Sequence, residues 1–334
     1  LAGLPALARY EGFMKKKIAL MLGSAMVLAS SVQAGPACEY LRNYVALQPQ
    51  SGDELQMQDE DGVCRVQNGQ WSAGFSSMLL AFDELVLRDE GLASYSEQQE
   101  IPDSMDLRIS GIYVLTGLLP GQDYIMRLQA KPMDFSLAYK WDSASAQLSL
   151  EQARLRSQHL REVRVQAQFG VESAVGRALG ADDLEQAELK SLNLYLDNQN
   201  LIQSMVMPAV VLSMSMHEDP RPAIEKALLA ARSAVQLMPD SVADRDSRDA
   251  LLAFIAQLPA PHGRLSLEMN MDPSWPVVRL EPGVSVDQAR KLLAGLSLQA
   301  RFDTGQVPAA YVWLRDHLRY GLHLFSLGRA EASN

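Results

Sequence analysis

The chain has 334 residues, with 30 basic and 40 acidic side chains and a formal net charge of −10. That acidity argues against nucleic acid and against attraction to anionic lipid headgroups, while leaving open the binding of lipid tails in an apolar groove. The length suffices for one large core or two smaller ones.

The first element is an export signal at Met14–Ala34. Lys15, Lys16 and Lys17 are its positive start, Ile18–Ala29 its apolar middle, and Val32-Gln33-Ala34 places small residues at −3 and −1. The apolar run is shorter than the roughly 20 residues of a membrane span, so the expectation is cleavage after Ala34, a periplasmic address and no stable membrane anchor. Leu1–Phe13 precedes the first Met of that signal and is read, with it, as an extension outside the fold. Pro36 stands two residues before Cys38, which argues against a lipobox. Cys38 and Cys64 are the chain's two cysteines; in an oxidising compartment such a pair predicts one structural disulfide.

A short helix is expected at Glu39–Ala46, then a polar, acidic loop over Gln48–Gly62. Beyond it the apolar period is two. Met105, Leu107 and Ile109 form one row; Met133, Phe135, Leu137 and Tyr139 a second; Leu148 and Leu150 a third. Val163, Val165, Ala167 and Phe169 form a fourth, and Leu189, Leu192, Leu194 and Leu196 a fifth with one slip. Each predicts a half-buried strand. Turn residues at Gly91, Pro102-Asp103, Pro120-Gly121 and Lys131-Pro132 separate them, so the expectation is an antiparallel meander of six to eight strands without helical connections. Gly170, Gly176 and Gly180 mark Gly170–Asp183 as a hinge.

From Asn200 the period becomes helical. Leu201–Met216 is apolar on all sides, with Pro208 inside it; Pro220-Arg221-Pro222 opens a second helix through Leu237; Asp246–Leu258 is a third. Leu265, Leu267, Met269 and Met271 return to strand spacing. A helix near Val286–Leu296 and an aromatic segment at Tyr311–Phe325 complete the chain. The fold class is therefore α+β: a curved antiparallel β-meander followed by a helical block packed on the sheet. The expected organisation is 1–34 extension and signal, 35–170 a disulfide-stapled strand-rich half, and 171–334 a helix-rich half with returning strands.

Catalytic motifs are lacking. There is no Gly-x-Ser-x-Gly, Ser-x-x-Lys, P-loop or His-Glu-x-x-His, and the five histidines (His159, His217, His262, His317, His323) are scattered. Asp240, Asp244, Asp246 and Asp249 lack the Gly and Glu of an EF-hand loop; Arg245 and Arg248 interleave with them, which predicts a capped helix start carrying salt bridges. Three Met-x-Met pairs suggest copper, but helical residues two apart diverge by about 200°, and Met269 and Met271 continue a core row. The expectation is no metal, no cofactor and no enzyme.

A helix apolar on every side is buried or faces an apolar ligand. Leu201, Met205, Val210, Leu212 and Met214 are its candidate ligand-lining residues. The stretch Asp197-Asn198-Gln199-Asn200-Leu201, the run Ala250–Pro259, the return Gly263-Arg264-Leu265-Ser266-Leu267 and the exit Pro273-Ser274-Trp275-Pro276-Val277 together resemble the carboxy-terminal half of exported, AsmA-like proteobacterial envelope proteins. The resemblance covers residues 189–280 and implies a strand-rich body handling envelope lipids; it carries no site residues. The expected function is binding of an apolar envelope component, a lipid or acyl chain. The alternative is a protein–protein interaction module in envelope assembly, using a sheet edge or the Tyr311–Phe325 segment.

Overall fold

The computed structural model describes residues 38–39, 41, 47–50, 55–60, 62–72, 79–89, 100–115, 120–129, 131–157, 161–203, 207, 219–276 and 295–305. The expected signal, most of the helix at 39–46, most of the helix near Val286–Leu296 and the Tyr311–Phe325 segment lie outside them; at the end of the expected helix Gly295 is a turn and Leu296 begins a strand.

Among the described residues the body is an antiparallel sheet of eleven strands whose order does not close on itself. Its strands are β1 (Gln48–Pro49), β2 (Gln56–Glu60), β3 (Val63–Ser72), β4 (Leu79–Asp89), β6 (Ser104–Leu115), β7 (Met133–Asp142), β8 (Gln147–Ser157), β9 (Arg161–Gly170), β11 (Glu188–Asn198), β12 (Gly263–Pro276) and β13 (Leu296–Thr304). From β3 onward each strand pairs with the next long strand in the chain, which is a meander. β1 and β2 both pair with β3. Two short strands, β5 (Glu100–Ile101) and β10 (Leu179–Gly180), pair with each other.

All five strand rows read from alternation are strands, as is the row at Leu265–Met271. The slip in the Leu189 row is a register shift between Leu189 and Ser191, made against both β9 and β12. The strand count exceeds the expected six to eight because β1–β4 carry no clean alternation. Gln48–Gly62, expected as a loop, contains β1 and β2; in β2 Met57 and Asp59 are the less exposed positions, and the Asp59 carboxylate accepts the Cys38 backbone N–H at 3.3 Å. In β4, Phe82 and Leu85 are both buried though three apart. The pairing of β4 with β6 lacks partners between Ala81↔Tyr113 and Glu84↔Ser110, and β6 shifts register against β7 between Ile109 and Ile112. Gly111, at φ +67°, sits in both irregularities; a Cβ there would lie 2.0 Å from the Asp83 carboxylate.

The expected turn at Pro120-Gly121 is instead the start of helix α1 (Pro120–Gln129), so a helical connection does join β6 to β7. Proline fixes a φ suited to a first helical position and lacks the N–H that would have no partner there. Helices α2 (Arg221–Gln236) and α3 (Arg245–Gln257) match the expected second and third helices. At α3 the Asp244 carboxylate accepts the Ser247 backbone N–H at 2.8 Å, while Arg248–Asp240 and Arg245–Asp249 form surface ion pairs. The acidic cluster is thus a helix cap with salt bridges.

The glycine-marked segment 170–183 is a packed plug and not a hinge. Val171, Ala174 and Leu179 are fully buried with Trp141 and Ala146. The Val171 N–H donates to Ala146 O, and the Trp141 indole N–H donates to Arg177 O. The Asp183 carboxylate receives two hydrogen bonds from Arg177, at 2.7 and 2.8 Å, and one each from Ser173 and Gly180. These contacts fix the strand ends on either side, where β9 pairs directly with β11.

Two clusters cover the ends of the apolar face. At one end the Cys38–Cys64 disulfide holds Cys38 and Leu41 against Val66, Phe82, Leu85, Leu87 and Ile109. At the other, the turn before α3 and α3 itself cover β11–β13: Val242, Ala243 and Leu251 pack with Met271, Leu298 and Ala300, and Phe254 meets Phe302 edge-on at 5.4 Å. β13 ends the strand order, and its outward N–H groups at Leu298 and Ala300 donate to Val242 O and Ser247 Oγ. That satisfies donors which an open edge would offer to another chain.

Candidate functional site

Of the five residues expected to line an apolar site, Leu201 is described and is buried. Met205, Val210, Leu212 and Met214 lie outside the described residues. Leu201 follows β11, where the buried Asn198 anchors the chain: its side-chain amide donates to Pro261 O and to Gln203 Oε1, and its carbonyl accepts the Ile202 N–H at 2.9 Å. Ile202 joins Leu196 and Leu265 in the core, with Met207 packed beside them.

The apolar face itself holds a region that the rows, read strand by strand, did not reveal. Register aligns Leu87, Leu107, Leu137, Ala153, Val165 and Leu194 into one line across six strands. Leu87 at one end is 1 % exposed and Ala300, two strands past Leu194, is 5 % exposed. Leu107, Leu137, Ala153, Val165 and Leu194 between them are only half-buried. In the adjoining line Phe135, Leu155 and Val163 are half-buried between the buried Ile109 and Leu196. The middle of the apolar face, centred on β7–β9, therefore keeps apolar surface accessible between two packed ends.

The opposite face is polar. A concavity of about 370 Å³ spans β3–β8 and is lined by five arginines (Arg65, Arg88, Arg108, Arg154, Arg156) against three carboxylates, Glu84, Asp106 and Asp134. A second, of about 320 Å³, spans β9–β13 with Arg164, Tyr195, Glu268 and Arg301 among its walls. Glu162 joins them, accepting from Arg154 at 2.8 Å and Arg164 at 2.6 Å; burial alone would raise its carboxyl, but the two guanidinium groups hold it below the usual range. Burial, and the Asp134 carboxylate nearby, push the Asp83 carboxyl up. A third concavity, about 550 Å³, lies at the strand ends around Asn198, His262, Arg264 and Asp303.

His262 is the sole histidine among the described residues. Among those residues there is also no group of three or more His, Cys, Asp or Glu side chains placed to hold a metal ion, and no helix long and apolar enough to cross a membrane. Comparison with family models, with curated proteins and with solved structures finds no match to this chain.

Proposed function

We propose that the protein binds an apolar component of the cell envelope, a lipid or acyl chain, along the middle of the apolar face. The observation that carries this reading is the half-buried line Leu137–Ala153–Val165–Leu194 between two fully packed ends. A core that is merely structural gains by burying such side chains completely, at about 25 cal/mol per Å²; surface left accessible in the centre of a sheet suits a guest. The curved meander with its helical block forms the walls in this reading, and the apolar Leu201–Met216 stretch supplies a further one. The disulfide is compatible with an oxidising compartment, and the proposal includes export to the periplasm and a non-enzymatic role. The likeness of residues 189–280 to AsmA-like envelope proteins points in the same direction.

Native mass spectrometry of the protein purified without detergent tests it. A bound mass in the lipid range, lost on denaturation and absent from a Leu155→Glu, Val165→Glu variant, is the expected result. An apoprotein mass that persists after incubation with oleate would sink the reading.

The second reading, an interaction module, is favoured by α1, on which Tyr124, Ile125 and Leu128 are 63 %, 54 % and 68 % exposed. Three neighbouring apolar side chains on one exposed helix suit a protein partner. Loss of a cross-linked partner in a Tyr124→Ser, Leu128→Ser variant that keeps its lipid would support it.

A further inference from the structure

The two concavities on the polar face are one feature. Register places Arg65, Arg108, Arg154, Arg164 and Arg301 in a single line across nine strands, β3 to β13, and no carboxylate falls on that line. At about 4.8 Å per strand the line is roughly 38 Å long. Arg154 and Arg164 stand directly opposite each other where the concavities meet. Like charges so placed repel, and a single Glu162 serves both. Arg301 and Arg156 make no ion pair among the described residues, and the buried Arg154 Nε has no acceptor there. Arg65 pairs with Glu84 and Arg108 with Asp106, so the surplus of positive charge lies with Arg154, Arg156, Arg164 and Arg301, on a chain whose net charge is −10.

We propose that this line binds a linear acidic polysaccharide lying across the strands. Guanidinium groups grip carboxylate or sulfate in a bidentate fork, so arginines in line select a chain with repeated anions. The groups between them select against a bare polyanion. Glu84, Asp106 and Glu268 flank the line and would repel a chain as densely charged as polyphosphate, whereas each accepts hydrogen bonds from the hydroxyls that a uronate unit carries beside its single carboxylate. Ser136 and Ser266 lie on the line itself, and Gln166, Asn193 and Gln299 beside it, all donors and acceptors matched to sugar hydroxyls. The Tyr195 ring, with the Arg164 guanidinium 5.6 Å from its centre, adds a flat face for a pyranose. The site is on the side of the sheet opposite the proposed lipid groove, and stands whether or not that groove is occupied.

Calorimetric titration of the full chain with galacturonate oligomers tests the proposal. The octamer is expected to bind more tightly than the trimer, with affinity falling as salt rises, while malto-octaose does not bind and polyphosphate binds more weakly than the octamer. Arg108→Ala with Arg301→Ala should weaken the octamer at least about tenfold, the loss of one charge-assisted hydrogen bond or more. Both side chains are exposed, so the unfolding midpoint should not move. No binding of the octamer, equal binding by the folded double variant, or tighter binding of polyphosphate overturns it.

Discussion

The ends of the sheet and its middle carry the same kinds of side chain, at the same strand spacing, buried to different depths. Val66, Phe82 and Leu87 at the β3–β4 end are essentially inaccessible, as are Ala243 and Leu265 near the other. Leu137, Leu155 and Val165, on strands just as regular, stay half-buried. Each end has its own covering segment: a disulfide-tied one over β3 and β4, a helix with its preceding turn over β12 and β13. An amphipathic strand specifies which of its faces is apolar; what comes to lie on that face is decided by other parts of the chain.

The sharpest way to break this comparison is to remove equal chemistry from the two regions. Phe82→Ala should destabilise by about 4 kcal/mol, because the ring is fully enclosed, with Trp71 5.3 Å away and Gly69 leaving room for it. Denaturant unfolding with an unchanged m-value measures it. Next in size is the staple. Cys38→Ala with Cys64→Ala should cost about 3 kcal/mol, from the loop of 26 residues that the bond closes. The same loss should appear on reduction of the unaltered protein.

The plug at 170–183 gives a smaller, pH-dependent effect. The Arg177 hydrogen bonds, with those from Gly180 and Ser173, hold the Asp183 carboxyl below the usual range against the opposing pull of burial. A carboxyl lowered in the folded state stabilises fully above its unfolded value near 4, and that stabilisation is lost as pH falls through the lower folded value. Asp183→Asn should cost about 2 kcal/mol at neutral pH and flatten the acid limb of the stability curve. An unaltered acid limb would show that the ion pair does not hold the plug.

Much of this was legible in the residues. Alternation located β6–β9, β11 and β12, and even the bulge in β11 is visible as the extra residue between Leu189 and Leu192. The Asp244 cap and the Cys38–Cys64 bond followed from residue type and spacing. Alternation failed where backbone irregularity breaks the period, as at Gly111, and where a strand is polar, as in β2, whose single large apolar side chain is Met57. It also failed at Pro120, whose ring serves a helix start as well as a turn. The arginine line was illegible for a different reason. Its members are 43, 46, 10 and 137 residues apart in sequence, and only the register of nine strands aligns them.

The smallest stability effect is the most informative. Leu155→Ala removes from the middle the kind of side chain that costs several kcal/mol in an enclosed core, yet its loss should be about 1 kcal/mol, since the side chain is only partly buried and part of its surface already meets solvent. The same substitution should weaken retention of an apolar guest, because the removed methyl groups lie on the proposed contact surface. Stability and binding thus separate at Leu155 and not at Phe82, where unfolding would remove both together. If Leu155→Ala costs as much as Phe82→Ala, the middle is enclosed in solution, and the contrast between the regions, with the groove it implies, disappears.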